Sequence, residues 1–459
     1  MLVLKGHRTV VRSEPFAGAT ELPSPPRAAT PRPKAPASAR RPPLGGPTRD
    51  ALDKLLATGQ IDQASHDART AVVKRALRSF RKLTGTRKTQ LGAVLANADA
   101  MALGGTLTAS RLEPVFQTID RNRQWWTTGP LLSYGRRVAF PGSQLIWEYY
   151  PGQGIQLQML ANFGKANALA QSKKKADLRQ MVDELVPLAS DRGGFPAWEY
   201  YFSFGGGAPP WTSGMSQGTA VQALGRAGKL LADLALTDVA LRSLGLFEQP
   251  PPVGVRVDDT FGAFYLIYSF APGQRVINAH LQSVIGLYDL AQVTGDPRAQ
   301  SLYAAGEAEA RAIVPRYDTG KWSLYDQRIE SDLSYHQLVT TFLENLCKRT
   351  GVAVYCDTAT RFKGYESVPP SVSGSTSRIR TGRAARIYFK LDKISRVGVT
   401  VRTRGGTTVF STSAVVGRGT RYYTWSLPSK AGLYDLTVTA TDLAGNRAAP
   451  WQSTLRIVK

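Results

Sequence analysis

The chain has 459 residues, 42% of them hydrophobic and 9% aromatic, which excludes a wholly disordered protein. At roughly 150 residues per domain, that length predicts two or three units. The 58 Lys and Arg against 34 Asp and Glu give a net charge of +24, which implies anionic partners. Charge alone leaves nucleic acid and acidic polysaccharide open, but no helix-turn-helix, zinc-finger or aromatic RNA-binding pattern accompanies it, so no nucleic-acid partner is expected. No run of 18 apolar residues occurs either, so no membrane span is expected.

In chain order, the first residues carry Lys5, His7, Arg8, Arg12 and Glu14 and never assemble the apolar run of an export signal. From Ser13 to about Thr48 proline recurs without helical or strand period, and residues 1–49 together are expected to be a disordered Pro/Arg-rich segment. Residues 50–125 form an N-terminal helical region, marked by Val72, Val73, Leu77 and Phe80 at amphipathic spacing. Helical signals continue to about Tyr365. Ile277, Leu281, Val284, Ile285 and Tyr288 trace one stripe. Asp296 and Pro297 supply an N-cap and a first-turn proline, and Leu338, Phe342 and Leu346 belong to a helix that stops at Gly351. Helix pairs joined by aromatic- and glycine-rich loops, such as Tyr200 to Trp211 and Gly320 to Tyr325, suit a helical toroid over residues 126–366 whose loops form a cleft. The glycine-rich Phe204 to Gly207 reads as a flexible loop of that cleft, since it lacks the strand, lysine and helix of a phosphate cradle.

After Pro369 and Pro370 the period changes to two: Ala385, Ile387 and Phe389, then Val397, Val399 and Val401, then Tyr434, Leu436 and Val438. Gly405-Gly406 and Pro428 to Gly432 are breaks between strands. Residues 367–459 resemble immunoglobulin-like or fibronectin type III modules, so an all-β sandwich is expected there. From Glu366 on, 15 Lys and Arg stand against 4 Asp and Glu. A solvated basic face and attachment to an acidic glycan or cell wall both account for that excess. The only two cysteines, Cys347 and Cys356, can close a short loop as a disulfide, which would argue for a secreted or cell-envelope location. Two reduced cytosolic thiols are the alternative. No metal site is expected, because His336 is the only histidine near the cysteines.

Four stretches carry a resemblance. Pro209 to Ala227 reads PPWTSGMSQGTAVQALGRA, and Tyr268 to Leu290 reads YSFAPGQRVINAHLQSVIGLYDL. Arg316 to Arg328 reads RYDTGKWSLYDQR, and Ser334-Tyr335-His336 follows. In this order they resemble the C-terminal helical domain of the D-glucuronyl C5-epimerases, which invert D-glucuronate to L-iduronate within heparan-like chains. The resemblance implies a multidomain protein: an all-α (α/α) toroid, an incomplete (α/α)6 barrel, followed by the β-sandwich. It also implies an acidic, uronate-containing polysaccharide as partner and no cofactor. A homodimer is left open.

Epimerising C5 means removing a proton beside a carboxylate, neutralising the carbanion through that carboxylate, and returning a proton from the other face. Tyrosine can serve if a nearby cation pulls its phenol down from about 10. The resemblance makes Tyr325 and Tyr335 the acid/base candidates, Tyr268 a third proton-transfer group or ring contact, and Arg328 the carboxylate clamp. Trp211, Gln217, Asn278 and His336 are candidate substrate contacts, and packing or capping roles are open to them as well. Where the family has an acid before the first tyrosine, this chain has Ile267, and the family's β-rich N-terminal region is missing. A uronate lyase, which starts with the same proton abstraction, and a non-catalytic glycan-binding or cell-envelope protein are the rival readings.

Overall fold

The computed structural model describes residues 1–6, 8–12, 42–375, 379–426, 428 and 430–459. They divide into two compact units: residues 1–274 with 282–309, and residues 275–281 with 310–459. The first is mainly helical. The second joins a helical end to a β-rich C-terminal region.

The first unit opens with two short paired strands, β1 (Leu2–Lys5) and β2 (Arg8–Val11). The expectation of disorder over 1–49 therefore fails at its start. The apolar Leu2, Val3 and Leu4 are placed by pairing β1 in parallel with β3 (Arg137–Ala139), in the register Leu2 to Val138 and Val3 to Ala139. It also fails at its end, because helix α1 (Gly46–Ala57) begins there. Its first turn is capped from outside: the Asp99 carboxylate accepts the Gly45 and Thr48 amides at 2.7 and 3.1 Å and the Thr48 hydroxyl at 2.6 Å. Residues 13–41, the rest of that stretch, lie outside the described residues.

Helices α2 (Gln63–Lys82), α3 (Gly85–Leu103) and α4 (Leu112–Thr128) follow, and α1 to α4 pack on one another. A β element then interrupts the helical region: β3, β4 (Trp147–Tyr150) and β5 (Gly154–Leu157) extend the sheet in the order β2-β1-β3-β4-β5. Gly154 at the start of β5 has φ +76°, and a Cβ there would lie 2.6 Å from both Asn122 Oδ1 and Val94, so the α3–α4 pair tolerates only glycine at this point.

The remaining helices come in pairs. In the first unit these are α5 (Met159–Gln171) with α6 (Lys175–Leu185) and α7 (Gly214–Leu231) with α8 (Leu234–Arg242). Two-stranded hairpins β6 (Ser190–Asp191) with β7 (Pro196–Ala197) and β8 (Arg256–Asp258) with β9 (Ala263–Tyr265) lie between them, beside the short α9 (Gly245–Glu248). Helices α10 (Ile277–Thr294) and α11 (Pro297–Ile313) are divided between the two units. The pair α12 (Leu333–Thr350) and α13 (Ala353–Tyr365) belongs to the second. In each pair the first helix is the more buried: α7 buries every residue from Gly214 to Gly225, whereas α6 buries only Leu178, Met181, Val182 and Leu185. A helix enclosed all round needs small residues where neighbours approach. Gly218 on α7 and Gly286 on α10 meet backbone to backbone, and a Cβ on Gly286 would lie 2.0 Å from the Gly218 carbonyl oxygen. Among the described residues no helix is long and apolar enough to cross a membrane.

In the second unit, the bond between Cys347 and Cys356 ties α12 to α13 across Gly351, which ends α12 at φ +67°. The β-rich region has two sheets around one apolar core. The first has the order β10 (Val372–Ser375), β12 (Ala385–Leu391), β15 (Gly419–Trp425). The second has the order β11 (Ile379–Arg380), β17 (Trp451–Val458), β16 (Gly432–Asp442), β13 (Ser395–Thr403), β14 (Thr408–Val416). Ile387 and Phe389 from one sheet share that core with Val397, Val399, Leu436 and Val438 from the other. Lys393 is buried where this region meets the α13 end, donating to the Tyr365 and Val368 carbonyls at 2.6 and 2.8 Å and to Asp442 at 2.6 Å. Burial pushes the Asp442 carboxyl up, but the Lys393 ammonium and the Asn446 amide outweigh it and hold the group below the usual carboxylate range.

Replacing Gly286 with alanine should lower the free energy of unfolding by about 1–3 kcal/mol, the cost of overpacking a close helix contact. Chemical denaturation of the full chain checks this; an unchanged midpoint would show that α7 and α10 can separate freely.

Candidate active site

Two of the three candidate tyrosines, Tyr268 and Tyr325, start from a repeated local pattern. Trp147-Glu148-Tyr149-Tyr150 and Trp198-Glu199-Tyr200-Tyr201 are identical tetrapeptides, and Tyr265 and Trp322 stand three residues before Tyr268 and Tyr325 in the same way. Each lies in or beside an extended segment that leads into a buried helix, namely α5, α7, α10 and α12.

In the first unit the extended segments are pinned by charge. Glu199, with no side-chain exposure, accepts Arg111 at 2.6 and 3.0 Å and also pairs with Arg192. The Arg192 guanidinium continues to the Val253 and Pro252 carbonyls at 2.7 and 2.6 Å and to the Ser269 hydroxyl at 3.4 Å, next to Tyr268. Burial, followed by the Glu199 charge, pushes the adjacent Tyr201 phenol well above its usual value, so Tyr201 stays protonated. Tyr268, 5% exposed, packs against Phe270 at 5.2 Å, Trp211 at 5.7 Å and Phe204 at 5.8 Å between ring centroids.

Trp211 is 1% exposed, with Tyr200 stacked on it at 4.3 Å and its indole N–H donated to the Phe202 carbonyl at 2.7 Å. Gln217 is fully buried and holds Trp198 at both ends, donating to its carbonyl at 2.7 Å and accepting its amide at 3.3 Å. Both residues are engaged in holding the loop. The loop expected to be flexible is clasped: Phe204 and Gly207 exchange backbone hydrogen bonds of 3.1 and 2.8 Å, and a Cβ on Gly207 would sit 2.3 Å from the Phe270 ring.

In the second unit, the turn after Trp322 presents Tyr325 and Arg328. The Tyr325 amide donates to the Ile329 carbonyl at 2.8 Å, and the Asp326 carboxylate accepts the Arg328 and Ile329 amides at 2.9 and 3.1 Å. That clasp leaves the Arg328 side chain exposed, with no carboxylate partner among the described residues. Asp332 caps α12 by accepting the Tyr335 amide at 2.8 Å, which puts Tyr335 in the first helical turn. The Tyr325 and Tyr335 rings meet edge to face, 5.0 Å apart at 81°, each 6% exposed. Asn278, fully buried, donates to the Tyr335 carbonyl at 3.2 Å and so positions that tyrosine's backbone. His336 is also wholly buried. Its ring stacks on Trp322 at 3.7 Å, Nδ1 meets the Ser323 hydroxyl at 2.8 Å, and Nε2 meets the Phe362 carbonyl at 2.9 Å. With both nitrogens engaged, it braces the Trp322 to Tyr325 segment.

Tyr325, Tyr335, Arg328, Asn278 and His336 thus share one unit, while Tyr268, Trp211 and Gln217 lie in the other. Sequence reading missed the Glu199–Arg111–Arg192 network; its signal was the repeated Trp-Glu-Tyr-Tyr, in which a carboxylate lies among aromatics. Ile267, in place of the family's acid, is 2% exposed. Among the described residues no group of three or more His, Cys, Asp or Glu is arranged to hold a metal ion.

Residues 192–364 match the family described as D-glucuronyl C5-epimerase C-terminus. Tyr268, Asn278, Tyr325, Arg328 and Tyr335 all lie inside that segment. A D-glucuronyl C5-epimerase of Caenorhabditis elegans is 35% identical over 133 residues, a match that covers 26% of this chain and only 22% of the nematode protein. Among solved structures, a cellobiose 2-epimerase from Spirochaeta thermophila is 13% identical with a TM-score of 0.36, over 61% of this chain and 73% of that one. Fibronectin(III)-like modules of Clostridium thermocellum CbhA are 19% identical with a TM-score of 0.15, over 19% of this chain and 94% of that one.

Burial holds the His336 imidazole below its usual value of 6.5, so the unfolded chain takes up a proton that the folded chain refuses as pH falls through that value. This contribution to stability is complete above pH 6.5 and is lost as pH falls through the folded value. Denaturation midpoints taken between about pH 7 and pH 5 should therefore fall less steeply in His336→Gln than in the parent; parallel curves would show that His336 protonates freely in the folded state.

Proposed function

We propose that this protein is a carbohydrate epimerase that inverts C5 of D-glucuronate residues in an acidic polysaccharide by proton transfer on the two sides of the ring. The reading rests on the Tyr325–Tyr335 pair, held by a carboxylate-clasped turn and a capped helix start, with the exposed Arg328 on the same turn. The match of residues 192–364 supports it. In this reading the helix pairs form an (α/α) toroid over residues 126–366, preceded by the helical region 50–125, and residues 367–459 are an immunoglobulin-like sandwich. The disulfide supports a secreted or cell-envelope location.

The chemistry follows from the groups present. Arg328 binds the uronate carboxylate and stabilises the charge that builds on it. One tyrosine, ionised, takes the C5 proton; the C–H electron pair moves into the carboxylate. The other tyrosine, neutral, donates its proton to the opposite face of C5, and the two exchange protonation states with each inversion. The two rings touch edge to face, so a pyranose flanked by both hydroxyls requires them to part. One observation favours a second reading: with Ile267 buried where the family has an acid, the chain would hold an acidic glycan without turning it over.

Incubation with glucuronate polymers in deuterated water, followed by NMR, should show C5 exchange and L-iduronate. Tyr325→Phe and Tyr335→Phe should each slow it by about 100-fold or more, the usual worth of a general acid or base. An unsaturated product would replace the epimerase with a lyase; no exchange on any polymer, with binding intact, would leave a glycan-binding protein.

A further inference from the structure

The two outer faces of the β-rich region differ in chemistry. On β12 the inward residues Ala385, Ile387, Phe389 and Leu391 alternate with outward Arg386, Tyr388 and Lys390. Register places Arg386 opposite Thr424, Tyr388 opposite Tyr422 and Lys390 opposite Thr420 on β15, while β10 adds Ser373 and Ser375 beside Lys390 and Tyr388. The strand period then puts all of these on one surface. The Tyr388 and Tyr422 rings lie 5.5 Å apart, Tyr422 is 47% exposed, and the Arg386 guanidinium sits 4.7 Å from the Tyr422 ring centre.

Of the four acids from Glu366 onward, only Asp392 borders this surface, two residues past Lys390 at the end of β12, where it accepts the Ser371 amide; Glu366 accepts Gln337, Asp435 pairs with Arg404 on the outer face of the other sheet, and Asp442 is buried with Lys393. Arg386 and Lys390 consequently have no carboxylate partner among the described residues. Two cations, two exposed aromatic rings and a border of hydroxyls on one regular surface are complementary to a chain that carries carboxylates, apolar sugar faces and hydroxyls together. The cations stand four residues apart on one strand, about 13 Å. That is sparse for a nucleic acid, which carries a charge roughly every 3.4 Å of each strand, and suits a polymer with a carboxylate only at intervals.

We propose that the outer face of the β10-β12-β15 sheet is a second binding site that holds a stretch of acidic polysaccharide through Arg386, Lys390, Tyr388 and Tyr422. It deepens the proposed function and rests on that reading for the kind of polymer. The site lets one molecule keep hold of a long chain between turnovers, and it adds nothing for an oligosaccharide too short to reach it.

The test uses the full chain and heparosan as the probe, with dextran and single-stranded DNA as controls, at low and moderate ionic strength. The variant Arg386→Ala/Lys390→Ala/Tyr422→Ala changes only outward residues, and the single variant Lys390→Glu guards against a fold defect in the triple one. Heparosan affinity should fall at least tenfold in the triple variant and several-fold in Lys390→Glu, dextran should not bind, and DNA should bind more weakly than heparosan. Affinity is read on a Tyr325→Phe background as well, so the result does not depend on catalysis: binding lost with these substitutions but no exchange in the parent would sink the enzyme reading and keep this site. Unchanged heparosan affinity in both variants, no heparosan binding by the parent, or a preference for DNA would overturn the proposal.

Discussion

A carboxylate with no side-chain exposure constrains most of the first unit. Burial of the Glu199 carboxylate is offset by Arg111 and Arg192, which both reach it, and the rest of the Arg192 guanidinium is taken up by the Pro252 and Val253 carbonyls and Ser269. Removing one member of such a network typically costs about 3–5 kcal/mol, because a buried charge is left uncompensated. The cost is structural as well as energetic. Arg111 precedes α4, Arg192 follows β6, Pro252 precedes β8 and Ser269 follows Tyr268, so one carboxylate holds four separated stretches together. Ser269 carries the connection further: its amide donates to the Thr212 carbonyl at 3.0 Å and its hydroxyl accepts the Thr212 amide at 3.2 Å. The position of Tyr268 is thereby tied to the start of α7.

In the second unit the same role falls to short-range carboxylates. Asp326 closes the turn that carries Tyr325 and Arg328, and Asp332 starts the helix that carries Tyr335. Behind them His336, Trp322 and Lys393 stack in sequence, with the Lys393 ammonium 4.8 Å from the Trp322 ring centre. Lys393 belongs to the β-rich region, and Glu330, just past the turn, accepts the Ile394 and Arg418 amides at 2.9 and 2.7 Å. The β-rich region therefore buttresses the turn that bears the proposed acid/base pair, which gives it a structural role in addition to any role in binding.

Much of this was legible in the residues. The period-two runs at Ala385, Val397 and Tyr434 are strands with those residues inward, and Asp296 does cap α11, accepting the Ala299 amide at 2.9 Å. Gly351 ends α12 as its position suggested. The short strands β1 to β5 were not legible: β4 and β5 are four residues each, buried on both faces and so without alternation, and β1 and β2 are four residues each, β1 joining the sheet through β3, more than 130 positions away. Among the site residues, the resemblance picked out Tyr325, Tyr335 and Arg328, which the structure brings to one turn and the following helix start. Trp211, Gln217 and His336 carry side chains equally suited to binding sugar and to bracing loops. Their partners in the structure, Phe202, Trp198, Ser323 and Phe362, are tertiary contacts that the sequence alone does not display.

The central claim is that two different groups handle the C5 proton, one on each face of the ring. A polymer whose glucuronates carry deuterium at C5, turned over in ordinary water under single-turnover conditions, tests it most directly. Two tyrosines acting from opposite sides predict that epimerised residues contain only solvent hydrogen at C5, with no return of the original deuterium. Deuterium retained in the inverted product would mean that a single group removes and returns the proton, contradicting the paired assignment of Tyr325 and Tyr335.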